Sequence, residues 1–169
     1  KSNLLKNLQK KNINNIKVKW IKNFTNLKKG PTIFFGNEFF DAIPVKQFSR
    51  KKNIFMEKYY LLNKKNEIDE IYKKASNKDV LLIKKFKILK NLNFVEFPKL
   101  GLNELSKIIK KISKLGGGLL LIDYGYLTPK NKNTLQSVIK HKKNKLLDNL
   151  GKADITSLVN FSLLYEHFI

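Results

Sequence analysis

The order of apolar and polar positions along the chain predicts an α/β protein. Residues 32–35 and residues 119–123 are two continuous apolar runs with the length and residue types of buried strands. Between them, residues 104–115 show the apolar spacing of a helix, with Asn103 as its cap and Gly116 at its end. A strand, a helix and a second strand in this order are typical of a parallel sheet with a helical crossover.

The first part of the chain predicts one helix and one edge strand. Residues 2–11 place Leu4, Leu5 and Leu8 on one helical face, with Ser2 as a possible cap. Residues 16–21 alternate apolar and lysine positions, as a half-buried strand does. We expect this strand near the rim of the sheet.

A β-rich insertion is predicted between the two apolar runs, over residues 50–98. Within it, residues 53–62 and residues 79–88 alternate enough to be antiparallel strands, and residues 94–97 are a third candidate. The insertion is predicted to belong to one domain that covers residues 1–169.

The C-terminal part is predicted to be mainly helical. Residues 135–147 are expected to form a helix, residues 148–154 a loop, and the last helix is expected to begin near Asn160.

Polar and acidic side chains follow both apolar runs. Asn37, Glu38 and Asp41 come after the first run, and Asp123 and Tyr124 end the second. Ligands of open α/β sheets bind in the crevice at the carboxyl ends of the strands, so these residues are candidates for a site. The alternative is that Asn37, Asp41 and Asp123 only cap and turn the chain.

The charge of the chain suggests a polyanionic partner. The formal net charge is +22, and Arg50 is the only arginine among 35 basic residues. A surface of this charge fits a basic RNA-binding or ribosome-associated module. A bias toward lysine codons explains the same count, and nucleic-acid sites more often use arginine for bidentate contacts. We therefore expect no nucleic-acid partner.

Composition also limits the other classes of site. The chain has no cysteine and 2 histidines, His141 and His167, so we expect neither a disulfide framework nor a metal site. No apolar run approaches the roughly 20 residues that cross a bilayer, so no membrane span is predicted.

Two motifs resemble one known family. The sequence Asn-Glu-Phe-Phe-Asp-Ala-Ile-Pro-Val at residues 37–45 is similar to the Asn-Glu-Phe-Phe-Asp-Ala-Leu-Pro-Val signature of the MidA-like methyltransferases. Residues 116–125 resemble the family's glycine-led strand that ends in Asp-Tyr-Gly, and residues 151–156 resemble its Gly-x-Ala-Asp-Leu-Thr segment. Two positions depart from the family pattern: Leu150 stands in place of a proline and Asn160 in place of an aspartate.

The resemblance implies a partial Rossmann-like class I methyltransferase sheet of strand order 3-2-1-4-5-7-6. Residues 16–21 would be strand three, residues 32–36 strand four and residues 119–123 strand five. The glycine-rich cofactor loop and the acid that binds the ribose would then precede Lys1. We therefore expect the 169-residue chain to be inactive when it is alone.

The resemblance also implies a function, with S-adenosyl-L-methionine as cofactor and a protein as substrate. The expected activity is protein-arginine N-methylation of a respiratory complex I subunit or a similar protein, and a non-catalytic assembly factor is the other possibility within the family. The expected location is mitochondrial in a eukaryote and cytoplasmic in a bacterium. The implied residues are Asn37, Glu38 and Asp41 for catalysis, Asp123, Tyr124, His141 and Asp154 for substrate, and Phe24, Gly36 and Asn37 for cofactor.

Overall fold

A computed structural model describes residues 3–13 and 17–169 of the chain. These residues form four α-helices, eleven strands and two short 3-10 turns, Phe24–Asn26 and Lys87–Leu89. The helices are α1 (Asn3–Asn12), α2 (Asn77–Lys84), α3 (Lys99–Leu115) and α4 (Phe161–Phe168). The strands are β1 (Thr32–Asn37), β2 (Lys46–Lys51), β3 (Ile54–Leu62), β4 (Ile68–Lys74), β5 (Phe94–Phe97), β6 (Gly117–Ile122), β7 (Gly125–Tyr126), β8 (Gln136–Ile139), β9 (Lys142–Asn144), β10 (Asp154–Thr156) and β11 (Val159–Asn160).

The two predicted apolar strands are confirmed, and they lie side by side. β1 and β6 pair in parallel, from Thr32 opposite Gly117 to Asn37 opposite Ile122. A β-carbon on Gly117, whose φ is +117°, would come 2.0 Å from the carbonyl oxygen of Thr32, so only glycine fits the start of this pair. Because the two strands are parallel and are paired from their first to their last residues, their carboxyl ends lie at the same edge of the sheet.

Most of the buried core belongs to the segment between β1 and β6. Its strands form a four-stranded antiparallel sheet in the order β4-β3-β2-β5, with Phe48 opposite both Glu57 and Val95. Aromatic and aliphatic side chains cover its inner face because they alternate with polar residues along each strand. The fully or nearly buried ones are Phe48, Phe55, Val95 and Phe97. We call this sheet, residues 46–97 with α2, the insertion.

The prediction of a strand at residues 79–88 is wrong, because the first residues of this segment are helical. Ser76 precedes α2, and its hydroxyl accepts a hydrogen bond from the backbone nitrogen of Asp79 at 3.1 Å. A serine cap with an acid three residues later is the sequence signal for a helix start, and it outweighs the weak alternation that follows. The other two strands predicted in the insertion are confirmed as β3 and β5.

The prediction of a helix at residues 135–147 is also wrong. β8 and β9 form a hairpin there, in which Ile139 pairs with Lys142. The two turn residues, Lys140 and His141, have positive φ angles of 49° and 60°, as a tight hairpin turn requires. β10 pairs with the other side of β8. The last helix, α4, is confirmed, and the Asn160 side chain caps it by accepting a hydrogen bond from the Leu163 nitrogen at 3.0 Å.

The first part of the chain keeps its predicted helix and lacks the predicted strand. Helix α1 is confirmed, whereas Ser2 and Ile16 lie outside the described residues. Residues 17–21 form no strand, since no described strand lies beside them. Instead, Trp20 reaches α1 and donates a hydrogen bond from Nε1 to Gln9 at 2.9 Å.

Helix α3 begins five residues before the predicted start, after Pro98, so Asn103 is inside the helix and does not cap it. Its end at Gly116 is confirmed. Gly101 allows α3 to approach the strand ends closely, because a β-carbon there would lie 3.1 Å from the ring of Phe40.

Candidate functional site at two strand ends

The ends of β1 and β6 meet, as the sequence predicts. Beyond the last strand pair, the backbone nitrogen of Glu38 donates to the carbonyl oxygen of Ile122 at 2.9 Å. The side chain of Asp123 then reaches across, and its Oδ2 accepts hydrogen bonds from the nitrogens of Phe39 at 3.1 Å and Phe40 at 2.8 Å. The residues predicted at the two ends therefore form one continuous structure.

Asp123 fixes the turn that follows β1. A carboxylate that accepts two successive backbone N–H groups holds that backbone in one conformation. Its other oxygen, Oδ1, is buried and has no hydrogen-bond partner among the described residues. Asp123 is thus compatible with both interpretations of the sequence, as a residue that caps a turn and as a residue of the site. It caps the turn with Oδ2 and keeps Oδ1 as an unsatisfied acceptor atom at the predicted site.

Three carboxyl groups collect at this edge, and we name Glu38, Asp41 and Asp123 the strand-end acids. Burial raises the pKa of Asp41, and the negative charge of Asp123 raises it further. The negative charge of Glu38 acts in the same direction, and a hydrogen bond with the backbone of Ala42 opposes them. None of the five ion pairs of residues 3–13 and 17–169 includes a strand-end acid. In so basic a chain, this edge keeps uncompensated negative charge.

Glu38 has a backbone conformation that is unusual for its residue type. Its φ angle is +45°, in the left-handed region that favours glycine, and its side chain is exposed. Asn37, the last residue of β1, is exposed as well. Strained backbone of this kind concentrates at functional sites, where neighbouring contacts hold it. Here the hydrogen bonds to Ile122 and Asp123 hold both sides of Glu38.

Residues 157–160, which the sequence analysis did not place at the strand ends, cover one side of them. The nitrogen of Ser157 donates to the carbonyl oxygen of Asp41 at 2.9 Å, and the nitrogen of Val159 donates to that of Tyr124 at 2.8 Å. β11 runs parallel to β7 in this contact. Gly125 permits it, because a β-carbon there would lie 2.2 Å from the carbonyl oxygen of Val159. Gly125 is therefore the residue whose type could have indicated this close approach from the sequence.

Tyr124 and Tyr126 lie on this same stretch in different environments. The Tyr124 side chain is mostly exposed beside Asp123. Burial raises the pKa of Tyr126, the nearby charge of Glu96 raises it further, and a hydrogen bond with Asn160 opposes them. Asn160 therefore both caps α4 and contacts Tyr126, and an amide side chain can supply both contacts where the family has an aspartate.

His141 and Asp154 lie apart from the strand-end acids. His141 occupies the exposed turn between β8 and β9, and Asp154 is the exposed first residue of β10. The structure gives neither side chain a contact with residues 37–41. Their predicted substrate roles remain predictions.

Phe24 and Gly36 have packing reasons for their identities. The ring of Phe24 stands edge-on to Phe34 of β1, with centroids 5.2 Å apart. A β-carbon on Gly36 would come 3.0 Å from Leu121 of the neighbouring strand. Their predicted cofactor contacts remain predictions.

The described residues hold neither a metal-binding cluster nor a membrane-spanning helix. Within residues 3–13 and 17–169, no cluster of three or more histidine, cysteine or acidic side chains has the arrangement of a metal site. In the same part of the chain, no helix is both long and apolar enough to span a membrane.

The chain is similar to known proteins over most of its length. A family model described as "Putative S-adenosyl-L-methionine-dependent methyltransferase" matches residues 1–168. Among curated proteins, the Caenorhabditis elegans protein named protein arginine methyltransferase NDUFAF7 homolog, mitochondrial, is 30% identical over 152 residues, which are 88% of this chain and 35% of that protein. The zebrafish (Danio rerio) protein arginine methyltransferase NDUFAF7 is 28% identical and covers 86% of this chain and 34% of its own length. The chain thus spans about a third of the length of these relatives.

Two solved structures from Burkholderia thailandensis share the fold. One, bound to S-adenosyl-homocysteine, superposes with a TM-score of 0.69 at 16% identity and covers 89% of this chain and 40% of its own. The other gives a TM-score of 0.66 at 18% identity and covers 83% of this chain and 39% of its own. The fold is therefore an α/β fold of the class I methyltransferase type. With the family match over nearly every residue, the chain belongs to the MidA-like family of S-adenosyl-L-methionine-dependent methyltransferases.

Proposed function

We propose that the intact protein is an S-adenosyl-L-methionine-dependent protein-arginine N-methyltransferase that acts on a respiratory complex I subunit or a similar protein. Family membership and the names of the relatives support the reaction class. The observation that carries the choice of arginine is the set of strand-end acids, which have no cationic partner among the described ion pairs.

A guanidinium group fits such a set of acids. It is planar, stays charged at any physiological pH and presents five N–H donors. Carboxylates accept such donors in strong, charge-assisted hydrogen bonds. We assign Glu38 and Asp41 to bind the substrate guanidinium, and Asp123 and Tyr124 to the adjacent wall of the site.

The same edge fits the reactive end of the cofactor. When bound, S-adenosyl-L-methionine supplies a methyl group on a positively charged sulfur. The described acceptor atoms at this edge suit a positive charge, because they are carboxylate and amide oxygens. We assign Asn37 and the backbone of Gly36 to this end, together with Phe24, whose ring packs against Phe34 of β1.

The reaction also needs a proton acceptor. As the substrate nitrogen forms its bond to the methyl carbon and the carbon–sulfur bond breaks, the nitrogen must lose one proton. Glu38 is exposed and is held by two backbone contacts at the strand end, so we assign it to position the nitrogen and receive that proton. We assign Asp41, whose pKa is raised by burial and by the charge of Asp123, to orient the guanidinium.

We further propose that the lysine-rich surface is not a nucleic-acid site. Arg50, which is the residue best suited to phosphate and base contacts, is already engaged. Its Nη1 donates to the Lys90 carbonyl oxygen at 2.5 Å, its Nη2 donates to Asn53 at 2.7 Å, and it lies over the ring of Phe55. RNA affinity that is tight and steeply salt-dependent would favour the RNA-binding alternative instead.

The cellular location is also proposed from the similarity to the relatives. The relatives carry the word mitochondrial in their names. We propose a mitochondrial location if the source is a eukaryote and a cytoplasmic one if it is a bacterium.

Methyl transfer by the intact protein to an arginine-containing acceptor tests the proposal. The parent should transfer labelled methyl groups to arginine and not to a lysine-substituted acceptor. Glu38→Gln should slow transfer by about 100-fold, because it removes the proton acceptor. Glu104→Gln is the matched control, since Glu104 pairs with Lys107 on the surface of α3. Unchanged transfer by Glu38→Gln contradicts the role of Glu38, and no transfer by the parent favours the non-catalytic assembly factor.

A further inference from the structure

Three consecutive backbone nitrogens, those of residues 157–159, donate to three different parts of the molecule. Ser157 donates to Asp41 and Val159 donates to Tyr124, which are the two strand ends. Leu158, between them, donates to the hydroxyl oxygen of Thr134 at 3.0 Å. We name residues 157–160 the clamp segment, because it contacts both strand ends at once.

The third contact leads into a buried polar network. The hydroxyl of Thr134 donates its one proton to Oε2 of Glu96. Its lone pairs are therefore free to accept the N–H of Leu158. Oε1 of Glu96 accepts hydrogen bonds from Thr134 N at 3.1 Å and from Gln47 Nε2 at 2.8 Å. Glu96 thus fixes the direction in which the Thr134 hydroxyl points.

Glu96 belongs to the insertion and not to the strand ends. It lies on β5, opposite Gln47 of β2, and is only 8% exposed. Burial of a carboxylate is costly, and a basic partner would offset the cost. The five described ion pairs do not include Glu96, and neutral donors satisfy it instead. A buried carboxylate that accepts hydrogen bonds only from neutral groups is suited to orient those groups.

We propose that Glu96 and Thr134 are positioning residues that set the strand-end site through the clamp segment. This inference rests on the proposed function. The chain of contacts runs from Glu96 to the Thr134 hydroxyl, to the Leu158 nitrogen, and through Ser157 to Asp41. The insertion thereby fixes the position of a residue that binds the substrate guanidinium, although no atom of Glu96 touches substrate.

The Thr134 pair of substitutions tests the physical link. Thr134→Val keeps the shape and removes the hydroxyl, whereas Thr134→Ser keeps the hydroxyl. Hydrogen exchange in the intact protein, resolved by residue, should be about tenfold faster at Ser157, Leu158 and Phe40 in Thr134→Val, as expected from the loss of one net hydrogen bond. Thr134→Ser should exchange like the parent. Parental exchange at these positions in Thr134→Val overturns the proposal.

The kinetic effect separates positioning from general stability. Glu96→Gln and Thr134→Val should each raise the KM for the protein acceptor by about tenfold, with the KM for S-adenosyl-L-methionine unchanged. Glu166→Gln is the control, because Glu166 also accepts two backbone N–H groups, those of Lys87 and Ile88, away from the strand ends. An equal KM increase in Glu166→Gln contradicts positioning.

The two proposals fail in different ways. If the parent protein transfers no methyl group, the proposed function fails, and the exchange rate of Phe40 still decides whether Thr134 holds the strand ends. If the parent is active and Thr134→Val retains the parental acceptor KM, the positioning role fails alone.

Discussion

The insertion and the parallel strand pair are built differently although they belong to one chain. In the insertion, large apolar side chains are buried and the acids Glu57, Glu70 and Asp79 pair with lysines. In the parallel pair, alternate apolar side chains are exposed on one face. Among the ion pairs of the described residues, none joins a strand-end acid to a lysine. The difference indicates that the insertion supplies most of the buried core, and under the proposed function the strand ends supply charge for binding.

The largest expected contrast is between two phenylalanines. Phe48 of β2 is 0% exposed, and Phe35 of β1 is 65% exposed. Phe48→Ala should lower the free energy of unfolding by about 3–5 kcal/mol because it leaves a cavity. Phe35→Ala should change it by less than about 0.5 kcal/mol. Urea unfolding of both variants measures this, and equal losses would contradict the division between the two regions.

Two glycines sharpen the contrast within the strand-end region. Gly125→Ala should destabilise by about 3 kcal/mol and abolish methyl transfer, because the new β-carbon would collide with the backbone of Val159. Gly118→Ala is the control on β6, since open space surrounds that position. Thermal unfolding and a transfer assay should separate the two. If Gly125→Ala keeps parental values, the clamp segment is not packed as described.

Asp79 provides the pH test for the insertion. It is 3% exposed, and although burial opposes ionisation, the bonds from Lys99, Lys46 and Ser76 lower its pKa to about 2. Because the folded pKa lies below the ordinary value of 3.8, the stabilisation is complete above about pH 4 and is lost as the pH falls toward 2. Asp79→Asn should remove about 2 kcal/mol at neutral pH. A stability difference from the parent that persists unchanged at pH 2 would contradict this.

Substitution of Asp41 should change the stability in the direction opposite to substitution of Asp79. This is the smallest of the expected effects. Its pKa is raised, so its charged form destabilises the folded protein, and this cost grows as the pH rises above the ordinary carboxyl range. Asp41→Asn should therefore stabilise at neutral pH, by less than about 1 kcal/mol, while methyl transfer falls. Denaturant titration at pH 7 measures the sign, and a destabilised variant would show that Asp41 is a structural acid.

The sequence predicted the strand ends well because the signals there are local. A continuous apolar run followed by glycine and acids predicted β1, and a glycine-led run ending at Asp123 predicted β6. The strand prediction at residues 79–88 rested on alternation alone and did not use the local helix-start signal of Ser76 and Asp79. The turn at Lys140 and His141 contains no glycine or asparagine, so no residue type there indicated the positive φ angles of a tight turn.

The rest of the site depends on contacts between residues distant in sequence. Thr134 contacts Leu158 and Glu96, and each partner lies more than twenty residues away. No periodic pattern or motif records such a network, since each residue type fits many other environments. Gly125 is a sequence feature that is compatible with this network, because it leaves room for a second backbone.

The central claim is that the strand-end acids bind the positive charge of an arginine. The most direct test compares the affinity of the intact protein for an arginine-containing acceptor peptide and for the same peptide with citrulline, which is similar in shape and neutral. Loss of charge-assisted hydrogen bonds should weaken binding by about 100-fold, and Glu38→Gln should remove most of this difference. Equal affinity for the two peptides would contradict the claim.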